Sequence, residues 1–522
     1  MVAASGNTSL DEHAEDRYPD PIYRIELNPR YKDNPLITAL PDVPTYSEAY
    51  LALALLPDKR AEDFRSQAQH RRLDLLGELQ HIFVPTNLHI ATLQKIVAVV
   101  RDCYEARNPN LPEVQRHLYR AAQGERTGLT RLSKSGGGSN GMVLWGITGS
   151  GKTSFLDRLV AYLYSQQAKG GAFTRGAIYH RMIQGRRSFW PQLPVVRMQC
   201  KTTLKGTIST LFAQIDEALG TSHSSRIGSR WTRDIFVNLV QQVMTTHFTG
   251  LLIVEDAHKL KDSTDKILDY FCDIMEESGF PILLVATYKF RTPLLADPAI
   301  ASKLTAKGII DFPPLSLSSE DPKNKRSKIP NQDWVMFVQG LWGLNVFKQA
   351  RDMPVELPEW LHFHSKGVRR IAREMMSHAF ERSVRDDKLV VDEALFDDIA
   401  ADEMAHYQRP LSALRRQPSG ALIDDEQAEL FEHFMLPLDA RLDLGADIKV
   451  RNQERLDKKA AQAAGQPAAP AAPAGSNSPS EDASSKKPAT KPRPRKSVRK
   501  SSTPETAKEV YDRLKAAGKV SK

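Results

Sequence analysis

Residues 146–153 read Gly-Ile-Thr-Gly-Ser-Gly-Lys-Thr, the spacing G-x-x-x-x-G-K-[ST] of a turn that holds phosphate. Glycines let backbone N–H groups converge on an anion, a lysine reaches the β and γ oxygens, and a hydroxyl ligates magnesium. The chemistry implied is binding of ATP with Mg2+. Its contacts fall to Gly146, Thr148, Gly149, Ser150, Gly151, Lys152, Thr153 and Ser154, with Thr153 also on the metal.

Three further groups could complete such a site. The apolar run Leu251–Val254 ends in Glu255-Asp256, which puts two carboxylates at the carboxyl end of a buried strand, where open α/β sheets bind ligands. Sites of this chemistry usually carry Asp before Glu. Keeping register through the inversion assigns the metal to Glu255 and the attacking water to Asp256. Asp256 reaches about one bond less far, and a 1 Å misplacement can cost about 100-fold in rate, so ATP binding is expected to outpace hydrolysis. The bland alternative is that the pair caps the next helix. Thr287, closing the run Gly279–Ala286, suits a hydrogen bond to the water or γ-phosphate, although a strand-end threonine is also commonplace. Arg369 and Arg370, following Gly367-Val at the start of a helical stretch, can return over the nucleotide as bidentate donors, Arg369 as a nucleotide contact and Arg370 in catalysis. Otherwise they are a solvated basic face.

The surrounding pattern would position these groups. Met142–Trp145 precedes the phosphate turn as a short apolar strand, and Phe155, Leu156, Leu159, Val160 and Leu163 after it share a helical face. Apolar runs at 195–198, 251–254, 282–286 and 309–312 alternate with helical stretches, which argues for a parallel sheet covered on both faces. Residues 1–45 read as extended, 47–119 as mainly helical, and 332–407 as helical throughout. Residues 460–485, rich in Ala, Pro, Gly and Ser, read as a disordered linker. The chain has 522 residues and net charge +9, but eight Lys/Arg between Lys486 and Lys500 account for nearly all of it. That run could bind phosphate or merely solvate the tail, and the pattern Ala507, Val510, Tyr511, Leu514 beyond it suits a docking peptide or a frayed end. No apolar run nears the roughly 18 residues that span a bilayer, and no signal-peptide pattern opens the chain. Three scattered cysteines read as reduced, buried thiols, so a cytoplasmic location is expected.

A phosphate loop, a carboxylate strand, a polar strand end and a Gly-x-Arg-Arg helix in this order resemble the AAA+ ATPases. Within them the chain is similar to the long form of the TnsC/TniB family of transposition regulators, on Tyr31–Pro41, Arg107-Asn-Pro109, Gly250–Leu260, Pro281–Lys289 and Pro330–Trp334. That resemblance implies an α/β AAA+ P-loop ATPase with a parallel sheet flanked by helices, an all-α C-terminal subdomain, a helical N-terminal extension and a disordered basic tail. The boundaries expected are 1–130 for the N-terminal partner-binding extension, 131–315 for the ATP-binding domain and 316–410 for a helical lid. A C-terminal helical extension follows at 411–459 and the tail at 460–522.

It further implies a homo-oligomer, ring or filament, on double-stranded DNA without sequence preference, linking a TnsD/TniQ-type target selector to a TnsA/TnsB-type transposase. The family's pore-facing segment corresponds to Lys201, Thr202, Thr203 and Lys205, which are otherwise ordinary loop residues. Where an arginine-rich stretch is expected this chain has Lys303 and Lys307, leaving Arg291 as the candidate for a trans-acting arginine. The expected function is thus ATP-dependent regulation of transposition, with slow hydrolysis and no strand chemistry. The rivals are a DNA motor or helicase loader, marked by translocation, and a non-hydrolysing adaptor, marked by ATP that stays intact.

Overall fold

The computed structural model describes residues 21–57, 64–125, 140–168, 176–183, 186–226, 233–259, 264–320, 328–416 and 437–464. The basic run 486–500, the 507–514 pattern and nearly all of the 460–485 stretch lie outside them. In chain order the strands are β1 (Gly141–Trp145), β2 (Ile178–Ile183), β3 (Arg186–Gln192), β4 (Val195–Gln199), β5 (Leu251–Glu255), β6 (Ile282–Ala286), β7 (Ile309–Asp311), β8 (Ser318–Glu320) and β9 (Lys328–Pro330). The main helices are α1 (Tyr46–Leu53), α2 (Asn87–Glu105), α3 (Lys152–Leu163), α4 (Leu204–Leu219), α5 (Arg233–Thr246), α6 (Thr264–Ser278), α7 (Gln332–Trp342), α8 (Leu357–Ser365), α9 (Arg369–Arg385), α10 (Glu393–Ala401), α11 (Gln408–Arg416) and α12 (Pro437–Ala464).

The fold is α/β. Its sheet is parallel, ordered β4-β5-β6-β1-β7. Strands β1 and β6 are buried along their whole length, and β5 up to Glu255, because a parallel sheet takes helices on both faces and needs apolar residues on each. Helix α3 turns Phe155, Leu156, Leu159 and Leu163 inward at helical spacing.

The N-terminal region is tied to both halves of the molecule. Thr86 and His89 form a capping box that starts α2, whose Leu93, Ile96, Val97 and Val100 are buried. At its far end Tyr104 Oη donates to Phe248 O (2.7 Å) and Arg107 Nη1 to Thr249 O (2.6 Å), fastening α2 to the turn that feeds β5. Gln69 Nε2 donates to Val384 O (2.8 Å) on α9, and Arg373 of α9 donates to Gln80 O and Ile82 O (3.0 Å each). Helix α12 sits on the lid through Arg451, paired with Asp397 (3.1 Å) and Glu393 (3.0 Å), and through the buried pair Arg415–Asp447 (2.8 Å).

Four features differ from the sequence reading, one being the short antiparallel pair β8–β9 inside the 316–410 stretch expected to be helical. A short helix, Pro35–Thr38, interrupts the region expected to be extended, because Asn34 accepts from Leu36 N and Pro35 is pre-set for a first turn. The antiparallel pair β2–β3 was not anticipated, its three arginines masking a strand pattern. Helix α12 continues to Ala464, beyond the expected linker start at 460, because alanine is the strongest helix former. Among the described residues no helix is long and apolar enough to cross a membrane.

Candidate nucleotide site

Strand β1 delivers the chain into the phosphate turn at the sheet's carboxyl edge. Gly146 must be glycine, since a Cβ there would lie 2.4 Å from Phe312 O. Gly151 caps α3 with φ +97°, a conformation glycine adopts without the cost of a side chain. Lys152 folds back over the loop, donating to Gly146 O (2.8 Å) and Ile147 O (2.9 Å). Burial pushes its ammonium down to about 8, partly countered by the charge of Asp256.

The lid closes onto this loop through main chain and side chain. Arg370 N donates to Gly149 O (3.1 Å), and the buried Arg369 donates through Nη1 to Ser150 O (2.5 Å). Burial pushes the Arg369 guanidinium down to about 10 against the opposing charge of Asp333. Arg370 is exposed and also donates to Glu374 (2.9 Å) one turn on. The turn before α9 depends on Gly367, which has φ +74° and would put a Cβ 1.8 Å from Leu315 O.

Between loop and lid lies a cleft of about 650 Å³. It is lined by Thr148, Gly149, Gly151, Lys152, Thr153, Ser154, Glu255, Asp256, Thr287, Arg369 and Arg370, so chain segments more than 200 residues apart meet there. Gly146 and Ser150 form the loop's underside, and among the described residues the buried Ser150 hydroxyl has no partner. Thr287 Oγ1, at the end of β6, is likewise buried and unpartnered. Glu255 accepts from Arg197, which also donates to Asp157 on α3. Asp256, at φ +59°, accepts from Lys259 (2.7 Å).

Sequence reasoning did not assign His258, Lys259, Lys289 and Arg373 to the cleft. The first two follow Glu255-Asp256 directly, a local signal that could have found them. Arg373, one turn after Arg369-Arg370, could have been found from helical period. Thr153 with Glu255 and Asp256 supplies hard oxygen donors, the set magnesium takes alongside nucleotide phosphates. Outside the cleft, Arg291 lies over the rings of Tyr288 (4.1 Å) and Trp145 (5.1 Å), and Lys303 pairs with Glu276 (2.7 Å). Lys201, Thr202, Thr203 and Lys205 are exposed beyond the end of β4, where Thr203 Oγ1 also caps α4 by accepting from Gly206 N (3.2 Å).

Residues 136–294 match the family described as the AAA domain. The chain contains an AAA domain, and the protein is an ATPase. No curated protein matches the chain at a significant level. Solved structures similar to it include Orc1 of Aeropyrum pernix in complex with DNA, at 14% identity and TM-score 0.34 over 64% of this chain and 82% of that one. Cdc6p of Pyrobaculum aerophilum is similar at 12% identity and TM-score 0.31, over 67% and 98%. NtrX of Brucella abortus in complex with ATP is similar at 15% identity and TM-score 0.28, over 64% and 67%. Identities and scores of this size do not bear on substrate or partner.

The depressed Lys152 ammonium makes ATP affinity pH-dependent. The triphosphate binds the charged form, so above about pH 8 each binding event must take up a proton. Affinity for a fluorescent ATP analogue is expected to fall by up to about tenfold per pH unit between 8 and 9.5. A flat profile would place the ammonium's titration elsewhere.

Proposed function

We propose that the protein is an ATP-dependent regulator of DNA transposition. With ATP bound it assembles as a homo-oligomeric ring or filament on double-stranded target DNA, receives a TnsD/TniQ-type selector and recruits a TnsA/TnsB-type transposase. The observation that carries the nucleotide-dependent part is the clamp of the lid on the phosphate loop, through Arg370 N on Gly149 O and Arg369 on Ser150 O. A triphosphate in that cleft would touch core and lid together, so its presence would set the angle between them and with it the surface offered to a neighbouring copy. A ligand that binds one arrangement preferentially stabilises it by mass action.

The finer assignment is supported by the TnsC-like segments. Tyr31–Pro41 and Arg107–Pro109 flank the anchoring of α2, Gly250–Leu260 includes the acidic strand Leu251–Glu255, and Pro281–Lys289 carries Thr287. In the reaction, Lys152 and the loop N–H groups hold the β and γ phosphates, while Thr287 orients the attacking water. Arg369 and Arg370 meet charge on the γ-phosphate. Thr153 and one of the two carboxylates would hold magnesium, which would offset charge on the phosphates. The output on this reading is assembly rather than chemistry on DNA.

Contacts to DNA would come from Lys201, Thr202, Thr203 and Lys205, and such contacts go to phosphates and carry no base readout. In the Lys201→Ala/Lys205→Ala protein, DNA affinity should drop similarly for unrelated sequences, and the slope of log affinity against log salt should shrink by about two per bound protomer. Fluorescence anisotropy across a salt series measures both; an unchanged slope removes these residues from the interface. Strand separation or directed translocation in the same preparations would favour a motor over a transposition regulator.

A further inference from the structure

The two carboxylates that end β5 are held differently. Strand β4 pairs with β5 so that Arg197 lies opposite Ile253 and Gln199 opposite Glu255, and strand alternation puts Arg197 and Glu255 on one face. There the guanidinium bridges two acids, donating through Nε to Glu255 Oε1 and through Nη1 to Asp157 Oδ1. Asp157 sits one turn after Thr153 on α3, so Arg197 ties the acidic strand end to the very helix that carries the phosphate loop. The Glu255 side chain is 12% exposed and that of Arg197 26%. Asp256 leaves the strand in the left-handed region, which aspartate tolerates better than most residues, and pairs with Lys259, at 34% and 50% exposure. It is also the acid whose charge acts on Lys152.

These pairs should respond unequally to an incoming cation. A half-buried pair is screened little, and a planar guanidinium gripped by two carboxylates has few alternative geometries. An exposed lysine–carboxylate pair is weak and exchanges readily. A cation fixed on Glu255 also cancels most of that carboxylate's attraction for a second cation.

We propose that Arg197 is a positioning residue of the ATP site: by holding Glu255 against β4 and α3, it leaves Asp256 as the carboxylate that meets the magnesium-bound triphosphate. This rests on the nucleotide reading of the cleft and reverses the division of labour that register alone suggests, in which Glu255 takes the ion. Lys259 is displaced from Asp256 when the ion arrives; Arg197 stays on Glu255.

The test is a Mg2+ titration of full-length protein bound to a fluorescent ATP analogue, with binding in excess chelator as the metal-free baseline. The Asp256→Asn variant should need at least about tenfold more Mg2+ for half-saturation than Glu255→Gln does. In Arg197→Gln, the freed Glu255 should lower the half-saturating Mg2+ at least about threefold, and Arg197→Gln/Glu255→Gln should lose that gain. A Glu255→Gln half-saturation as high as that of Asp256→Asn, or an Arg197→Gln value no lower than wild type, overturns the assignment. If thermal melts show that Arg197→Gln does not fold, the comparison between the two carboxylate variants decides alone. A wild-type chain that binds no analogue at any Mg2+ concentration would overturn the nucleotide reading itself, which the assignment presupposes.

Discussion

Replacing Lys152 with alanine is expected to lower ATP affinity by about 100- to 10,000-fold, taking two charge-assisted hydrogen bonds to phosphate at about 1.5–3 kcal/mol each. The side chain occupies the centre of the loop, and its only described acceptors are Gly146 O and Ile147 O, both of which a triphosphate would outcompete. Turnover should vanish together with binding, and so should any ATP-dependent assembly on DNA. Fluorescent-nucleotide binding, phosphate release and negative-stain microscopy of protein mixed with DNA measure the three effects. The fold should survive, because the ammonium's removal leaves two carbonyls short of a donor but no unpaired buried charge. Assemblies that form equally well in the variant would mean that ATP in this cleft does not drive oligomerisation.

Gly367→Ala should cost both stability and function. The alanine methyl would sit 1.8 Å from Leu315 O, and the residue's φ of +74° is a conformation L side chains rarely adopt. Gly367 O also accepts from Leu315 N (3.0 Å), so relief by backbone movement breaks a bond between the linker and the lid. Strain of this kind costs about 1–3 kcal/mol, and the clash adds to it. A loss of 3 kcal/mol corresponds to a fall in melting temperature of roughly 6–12 °C for a unit of this size. Because the same turn aims Arg369 and Arg370 at the loop, ATP binding should weaken even well below the melting temperature. A melt within 2 °C of wild type, seen by differential scanning calorimetry, would mean the turn relaxes freely.

The nucleotide cleft was largely legible because its chemistry is local. A phosphate loop needs glycines and a lysine within eight residues, and an acidic strand end follows directly on an apolar run, so Lys152, Thr153, Glu255 and Asp256 stand out without any knowledge of packing. Thr287 and the Arg369-Arg370 pair were legible through their place in the order of elements. The β2–β3 pair was not, since Arg181, Arg186 and Arg187 interrupt its apolar pattern and pairing between neighbouring strands supplies what composition withholds. The end of α12 is not legible in the sequence, because alanine serves both helices and linkers, and only its continuation from a helix docked on the lid separates the two.

What the order of residues determined by itself was the set of groups able to handle a triphosphate, and the alternation of strand and helix that brings them to one edge of a sheet. Tertiary structure decided which partners they have. Arg197 reaches Glu255 from 58 positions earlier because β4 lies beside β5 in one register. Arg291 rests on Tyr288 and Trp145 because β1 and β6 are neighbours. Arg369 meets Ser150 because Gly367 can turn where no other residue fits. Covalent neighbours and period set what a segment can be, whereas charge and hydrogen-bond partners depend on distances in space that no local pattern encodes.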